Sequence, residues 1–396
     1  MISAEQAATS AEPSSSRQPW KDPIMRTATN PVMRSAISPA GQIAIAGASP
    51  SDATSTMAYD HNLSQTGLMP VLFALIYPAA LNVFFNCVTA LRGSSTPAPI
   101  LWAGILVSLA LVYSTPIIGL YTAHHAFGTS MHHRWLRLIS YLAVAAPPLF
   151  TAIGVYFDFL MGIANSDYVV WGCLWTAAGA FIVASRRDLV RVTILKPAPT
   201  WLRLAHGVSA LGIVLLFLAA HLLNHAAGIL SGDDHMAVMK VLRLIYRNDY
   251  VQPLLITLFA VQLVSGGWLL VRLSPEEGNW FRTLQAASGT FLAVFIPGHT
   301  TAVFVLGRYL MHADTNWKWL TGFPMLGDPW SVRLIPHYSL VVFMATAHLA
   351  CGLRNVLLGH NVARRTADRL SVAIMLVGAV GAIVIISGML GVHVLS

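Results

Sequence analysis

The sequence predicts an all-α integral membrane protein with about nine transmembrane helices. Of its 396 residues, 56% are hydrophobic and 10% are charged, whereas an average soluble domain has about 25% charged residues. The mean hydropathy is +0.63, and the apolar residues are gathered into runs long enough to cross a bilayer. The number of these runs argues against a single membrane anchor and against a soluble helical protein.

The apolar runs are each bounded by proline, glycine or charge, and most reach the roughly 20 residues that the hydrocarbon core requires. Each is predicted to be a helix, because a lone strand would leave its backbone groups unpaired in lipid. The fourth run is the shortest. In order, the predicted spans are 68–91, 98–125, 136–162, 168–185, 204–231, 250–271, 284–310, 334–357 and 370–393.

The chain divides into three regions by composition. Residues 1–67 are rich in Ser, Ala, Pro and Thr without a sustained period, and they are predicted to form a disordered tail that could include a cleaved targeting segment. A basic, proline-containing loop at 186–203 separates the spans. It leaves a four-helix membrane region at 68–200 and a five-helix membrane domain at 201–396.

The basic residues indicate an orientation rather than a nucleic-acid partner, although the net charge is +8. With nine spans, the loops on the N-terminal side carry thirteen lysines and arginines and the opposite loops carry seven. The positive-inside rule therefore puts the N-terminus in the cytoplasm or mitochondrial matrix and the C-terminus outside. The three cysteines all fall in apolar runs without metal-site spacing.

Two histidines in the middle of predicted spans are the first candidate site. His221 and His299 each lie in an apolar run, and an ionisable side chain at membrane depth is costly and marks a functional site by default. Counted from the outer ends of their spans at about 1.5 Å per residue, the two are level within roughly one helical turn. That is the arrangement of a bis-histidine haem iron, with one imidazole from each helix.

The inner half of the bundle offers a less complete pair. His348 lies about nine residues from the inner end of its span, and Gln262 about ten from the inner end of its own. A second haem would require histidine at both positions. His206, near the inner end of its span, is a candidate to contact a haem propionate or a quinone, and a capping role at the interface is the alternative.

These motifs resemble those of a known family. Residues 201–393 resemble the five-helix cytochrome b membrane subunit of succinate dehydrogenase and fumarate reductase, over about half of the chain. The residues that carry the resemblance are Ala220-His-Leu-Leu-Asn-His225, Val261-Gln-Leu-Val-Ser-Gly266, Ala287-Ser-Gly289 with Gly298-His299, and Ala347-His348 with Gly352. The resemblance implies that His221 and His299 bind an outer haem and that His348 is one ligand of an inner haem, with Gln262 where the other ligand should be. One haem b is therefore expected, and the second is left open.

The resemblance also implies a role and partners. The chain would be a membrane anchor that passes electrons to or from quinone, together with flavoprotein and iron–sulfur subunits of a complex II-type assembly. Its location would be the mitochondrial inner membrane or a bacterial cytoplasmic membrane, in contact with lipid and not with nucleic acid. The sequence contains no nucleotide, flavin or iron–sulfur motif, so substrate chemistry would belong to other subunits. The candidate quinone niche is formed by Arg203, His206, Ser209 and Arg282.

Two other functions remain open at this point. The first is a haem- or lipid-handling membrane scaffold or assembly protein without enzymatic activity that retains the cytochrome b fold. The absent inner ligand and the additional first four spans favour it. The second is a transporter, for which intramembrane polar residues are suitable but intramembrane carboxylates are few. An absorption spectrum of the purified protein distinguishes the cytochrome from both.

Overall fold

A computed structural model describes residues 67–93, 96–126, 128, 130–186, 197–273, 279–322 and 324–394. Within these ranges all regular secondary structure is helical, and there is no strand. Eight helices are long and apolar enough to span a membrane, and a bent pair raises the number to nine if it forms a single span. The all-helical membrane prediction is therefore confirmed for the described residues. The tail predicted at 1–67 lies almost wholly outside them.

The helices are numbered in chain order, and their bounds lie close to those of the predicted spans. They are α1 Met69–Ala90, α2 Ala98–His125, α3 Met131–Val144, α4 Ala146–Leu160, α5 Ser166–Ser185, α6 Thr200–Ala227, α7 Gly232–Tyr246, α8 Val251–Val271, α9 Trp280–Leu310, α10 Trp317–Thr321, α11 Ser331–Gly359 and α12 Arg364–Met389.

The third predicted span is broken in the middle. Helices α3 and α4 meet at Ala145 with a bend of 68°. Pro147 and Pro148 follow directly and have no backbone N–H, so they cannot donate the hydrogen bonds that would continue α3. The pair can therefore be one bent span or a re-entrant segment, and this choice decides whether the two termini lie on opposite sides of the membrane.

Helices α1 to α5 share an aromatic core. Tyr77, Phe150, Trp171 and Trp175 are all nearly inaccessible, and the rings of Phe150 and Trp171 pack edge to face with centroids 5.1 Å apart. The indole N–H of Trp171 donates to the carbonyl of Ala74 at 2.7 Å, so this polar group is satisfied inside the bundle. This core fills the interior of the first half of the chain and continues into buried side chains of the second half, such as Ile335 and Ile385.

A buried ion pair ties this core to the second half of the chain. Arg333, at the start of α11, contacts the carboxylate of Asp167 on α5 at 2.7 Å, and the two side chains are 2% and 1% exposed. The guanidinium also lies over the ring of Phe150, 4.2 Å from its centroid. Sequence reasoning did not predict this pair, because Asp167 and Arg333 lie just before the predicted spans 168–185 and 334–357.

The second half is built from two packed helix pairs. Helix α6 packs against α8, α9 packs against α11, and α12 covers α11. Both α6 and α9 contain π-helical segments, at Val214–Leu218 and Thr301–Leu310, a geometry that frequently marks functional sites. Apolar side chains such as Leu215, Val264 and Val377 are 71–73% exposed, which suits contact with lipid.

Helix α7 was not predicted, because its sequence is too polar to cross a membrane and was assigned to a loop. The hydroxyl of Ser231 accepts from the backbone N–H of Asp234 at 3.0 Å and caps the helix start. Asp233 and Asp234 lie in the first turn, where the negative charge of a carboxylate interacts favourably with the positive end of the helix dipole. Its buried residues, His235 and Met239, face the end of α6.

Candidate functional site

A large cavity runs through the second half of the molecule. It has a volume of about 2160 Å³ and is lined chiefly by apolar side chains of α6, α8, α9 and α11. This exceeds the roughly 300–1,000 Å³ of an ordinary ligand pocket. The polar residues among its walls include seven histidines and six arginines: His206, His221, His225, His235, His299, His348, His360, Arg203, Arg243, Arg247, Arg272, Arg282 and Arg308.

The first histidine pair lies across this cavity as the predicted depths suggested. The ring centroids of His221 on α6 and His299 on α9 are 6.5 Å apart, with an angle of 66° between the rings. Each ring stacks on a phenylalanine one turn earlier in its own helix: His221 on Phe217 at 4.6 Å and His299 on Phe295 at 5.0 Å. The same Phe-x-x-x-His pattern therefore holds both imidazole rings in position by stacking.

A second histidine pair lies nearer the start of α6. The ring centroids of His206 and His348 on α11 are 6.1 Å apart, with an angle of 79° between the rings. Sequence reasoning had set His348 level with Gln262 and had assigned His206 to a haem propionate, a quinone or a capping role. The side-chain amide of Gln262 instead donates to the backbone oxygen of His206 and to the hydroxyl of Ser209, at 2.5 and 2.7 Å.

The other predicted site residues are only partly brought together. Arg203 and Arg282 line the same cavity as His206. Arg203 is exposed, and its guanidinium reaches the hydroxyl of Thr200 at 3.5 Å. Ser209 is buried between α6 and α8 and is not among the cavity-lining residues. Its hydroxyl donates to the carbonyl of Ala205 at 2.8 Å and accepts from Gln262, so its proton is already used and cannot be donated to a quinone carbonyl.

Sequence reasoning missed the basic cluster at the other end of the cavity. Arg243, Arg247 and Arg308 line that end, and Asp314 contacts the first two at 2.8 and 4.0 Å. Three positive charges against one carboxylate leave a net positive charge at a cavity mouth. The available signal was that these arginines flank predicted spans six and seven.

A buried histidine beside this cluster is held neutral. His235 on α7 lies against Trp317, with ring centroids 4.4 Å apart, and its Nε2 is 3.1 Å from the Asn224 amide nitrogen. Burial, and secondarily the charge of Arg243, lowers the pKa of His235 from 6.5 to about 4. A neutral ring can accept a hydrogen bond from the amide, so the two observations agree.

The spacing of both histidine pairs suits a shared metal centre. An iron bound by two imidazoles at about 2 Å each separates the two ring centroids by about 6 Å, once half the width of each ring is added. The observed separations are 6.5 and 6.1 Å. No cluster of three or more His, Cys, Asp or Glu able to hold a bare metal ion occurs within the described ranges. A haem iron takes only two ligands from the protein.

No protein-family model, curated protein or solved structure matches the chain.

Proposed function

We propose that this chain is a haem b-containing membrane subunit that passes electrons between a partner's redox centre and quinone. The observation that carries the proposal is the His221–His299 pair, two imidazoles 6.5 Å apart across an apolar cavity at membrane depth. Imidazoles held at that separation by separate helices match what a six-coordinate haem needs.

The cavity around the pair has the right character for a porphyrin. Its walls are mainly apolar, its volume is about 2160 Å³, and flat apolar ligands are held in such cavities by area contact. The ring of Phe217 covers one face of the His221 imidazole, and the ring of Phe295 covers one face of the His299 imidazole. The bound haem would supply one-electron chemistry, while the chain's residues orient it and exclude water.

The end of the cavity near Arg203 is the proposed quinone niche. Arg203, His206 and Arg282 all line it, and their N–H groups can donate to quinone carbonyls. Ser209, included in the niche by sequence reasoning, is engaged with Gln262 and is left out of the proposal.

The proposed partner subunits are those that would carry the flavin and iron–sulfur centres. A haem subunit without flavin or iron–sulfur motifs depends on other subunits for substrate oxidation or reduction. We propose flavoprotein and iron–sulfur partners of a succinate dehydrogenase or fumarate reductase type, in a mitochondrial inner or bacterial cytoplasmic membrane. Basic side chains on the N-terminal side would provide the docking face.

The experiment is an absorption spectrum of the full-length protein purified in detergent from cells supplied with haem. Reduced b-type bands are expected, and they should weaken in both His221→Ala and His299→Ala. His124→Ala is the matched control, because His124 is also a buried histidine of a membrane helix but lies outside the cavity walls. Folded protein with no haem bands would move the assignment to the scaffold alternative.

A further inference from the structure

We propose that His206 and His348 are the axial ligands of a second haem, so that the chain holds two haems at different depths. This inference rests on the proposed function, and it departs from the single haem that Gln262 suggested. The two pairs share α6, where His206 and His221 lie 15 residues apart, which is about 22 Å along a helix. An electron path across the membrane follows from two such sites.

The second pair repeats the geometry of the first. Its centroid separation is 6.1 Å against 6.5 Å, its rings are at 79° against 66°, and all four histidines line the same cavity. Neither pair is stacked face to face, so one nitrogen of each ring can point to a common centre. The repeated separation is close to what a shared iron requires.

Hydrogen bonds fix the tautomer of His348. Its Nδ1 lies 3.1 Å from the backbone carbonyl of Gln285, which can only accept, so Nδ1 carries the proton. The hydroxyl of Ser288 is also within reach, at 3.2 Å, and has its own proton directed to the carbonyl of Leu284 at 2.6 Å. The Nε2 lone pair of His348 is therefore free to bind a metal, as for most haem and zinc histidines.

His206 is oriented in the same way. Its Nδ1 lies 2.8 Å from the hydroxyl of Ser265, and that hydroxyl donates to the carbonyl of Val261 at 2.5 Å. Because the serine proton is used there, the serine oxygen accepts from Nδ1 of His206. The Nε2 lone pair is again left for a metal.

A glycine follows each of these serines and lets the ring approach the helix. A Cβ on Gly266 would lie 3.3 Å from Cε1 of His206, and a Cβ on Gly289 would lie 3.0 Å from Cε1 of His348. Each histidine thus packs against a Ser-Gly pair of the facing helix. The serine fixes the tautomer of the imidazole, and the glycine leaves space for the ring. Two copies of the same arrangement on opposite walls indicate a built site.

Gln262 is accounted for without a ligand role. Its amide donates to the backbone oxygen of His206 and to Ser209, so it joins α8 to the turn of α6 that carries the ligand. With His206 as a ligand, it no longer belongs to the quinone niche, and Arg203 and Arg282 border both that niche and the second haem.

The positive charge at the two ends of the cavity fits two haems. A haem carries two propionate carboxylates, and arginine is the preferred partner of carboxylates. Two haems with propionates facing opposite membrane surfaces need basic residues at both mouths. The cavity has three arginines at each end: Arg203, Arg272 and Arg282 near His206, and Arg243, Arg247 and Arg308 beyond His221.

The test is a pyridine haemochromogen count on the full-length protein, combined with a redox titration of its absorption bands. Two haems per chain are expected. His206→Ala and His348→Ala should each lower the count to one and remove one redox transition. His221→Ala and His299→Ala should remove the other transition, and His124→Ala should leave both.

Conservative variants separate ligation from folding. Ser288→Ala keeps His348 and should shift the midpoint potential of one haem only, while Gly289→Leu should lower the count by displacing the ring. One haem per chain, lost in His221→Ala but kept in His206→Ala and His348→Ala, would overturn the second site and leave the proposed function intact. Folded wild-type protein without haem would overturn both.

Discussion

Replacing Asp167 by asparagine should be among the most damaging single changes outside the histidine site. The carboxylate lies 2.7 Å from Arg333, and the side chains are 1% and 2% exposed, so the change leaves a guanidinium buried without its counter-charge. Breaking a buried pair from one side costs about 3–5 kcal/mol. The remaining bond from Nε of Arg333 to the carbonyl of Trp330, at 3.0 Å, does not neutralise it.

Asp368→Asn is the matched control. Asp368 pairs with Arg354 at a similar distance, 2.6 Å, but its side chain is 36% exposed, and such pairs contribute about 0–1 kcal/mol. Equilibrium unfolding in mixed detergent micelles should therefore show Asp167→Asn to be less stable than the control by about 3 kcal/mol, roughly a hundredfold in the folded fraction. Equal losses in the two variants would refute the reasoning. Asp167→Leu combined with Arg333→Met should recover most of the stability, because it removes both buried charges.

Three further predictions concern the proposed second haem, the topology and the pH response. Ser265→Ala removes the partner of His206 Nδ1 and should weaken haem retention at that site by about 10–100-fold, measured as the rate of haem transfer to apomyoglobin; an unchanged rate would contradict the assigned tautomer. A reporter fused after Ser396 should be accessible only from the outer side if α3 and α4 form one span, and accessibility from the inner side would make them re-entrant. Because burial and Arg243 lower the pKa of His235 to about 4 from its ordinary 6.5, the folded chain binds fewer protons than the unfolded chain between these values. The stability from this residue is complete above about pH 6.5 and is lost as the pH falls toward 4, so unfolding curves of His235→Gln should be flatter across that range than those of wild type.

Most of the helical framework could be predicted from hydropathy, because a span must be apolar over about 20 residues whatever it packs against. Two elements escaped that criterion. Helix α7 is amphipathic and short, and its signals were the cap at Ser231 and the acidic first turn. The break at Ala145 was signalled by Pro147 and Pro148, but a count of apolar residues does not register a bend.

The candidate site could be predicted only from the depth of each residue, estimated by counting residues along an assumed straight helix. That estimate paired His221 with His299, which the structure brings to 6.5 Å. It paired His348 with Gln262, since it could not include helix tilt or the direction of a side chain. The ring of His206 meets His348 instead, and the clue lay in the repeated Ser-Gly pairs at Ser265 and Ser288.

Helix α6 supplies one histidine to each pair, and the second histidine of each pair is synthesised later, so the two pairs are completed one after the other. The His221–His299 pair becomes complete when residue 299 is in place, and the His206–His348 pair only with residue 348, 49 residues later along the chain. At a synthesis rate of about 5–20 residues per second, that interval is about 2–10 s. A newly made chain therefore passes through a stage in which one pair is complete and the other still has a single ring, so assembly proceeds from the His221–His299 end of the bundle toward the His206–His348 end.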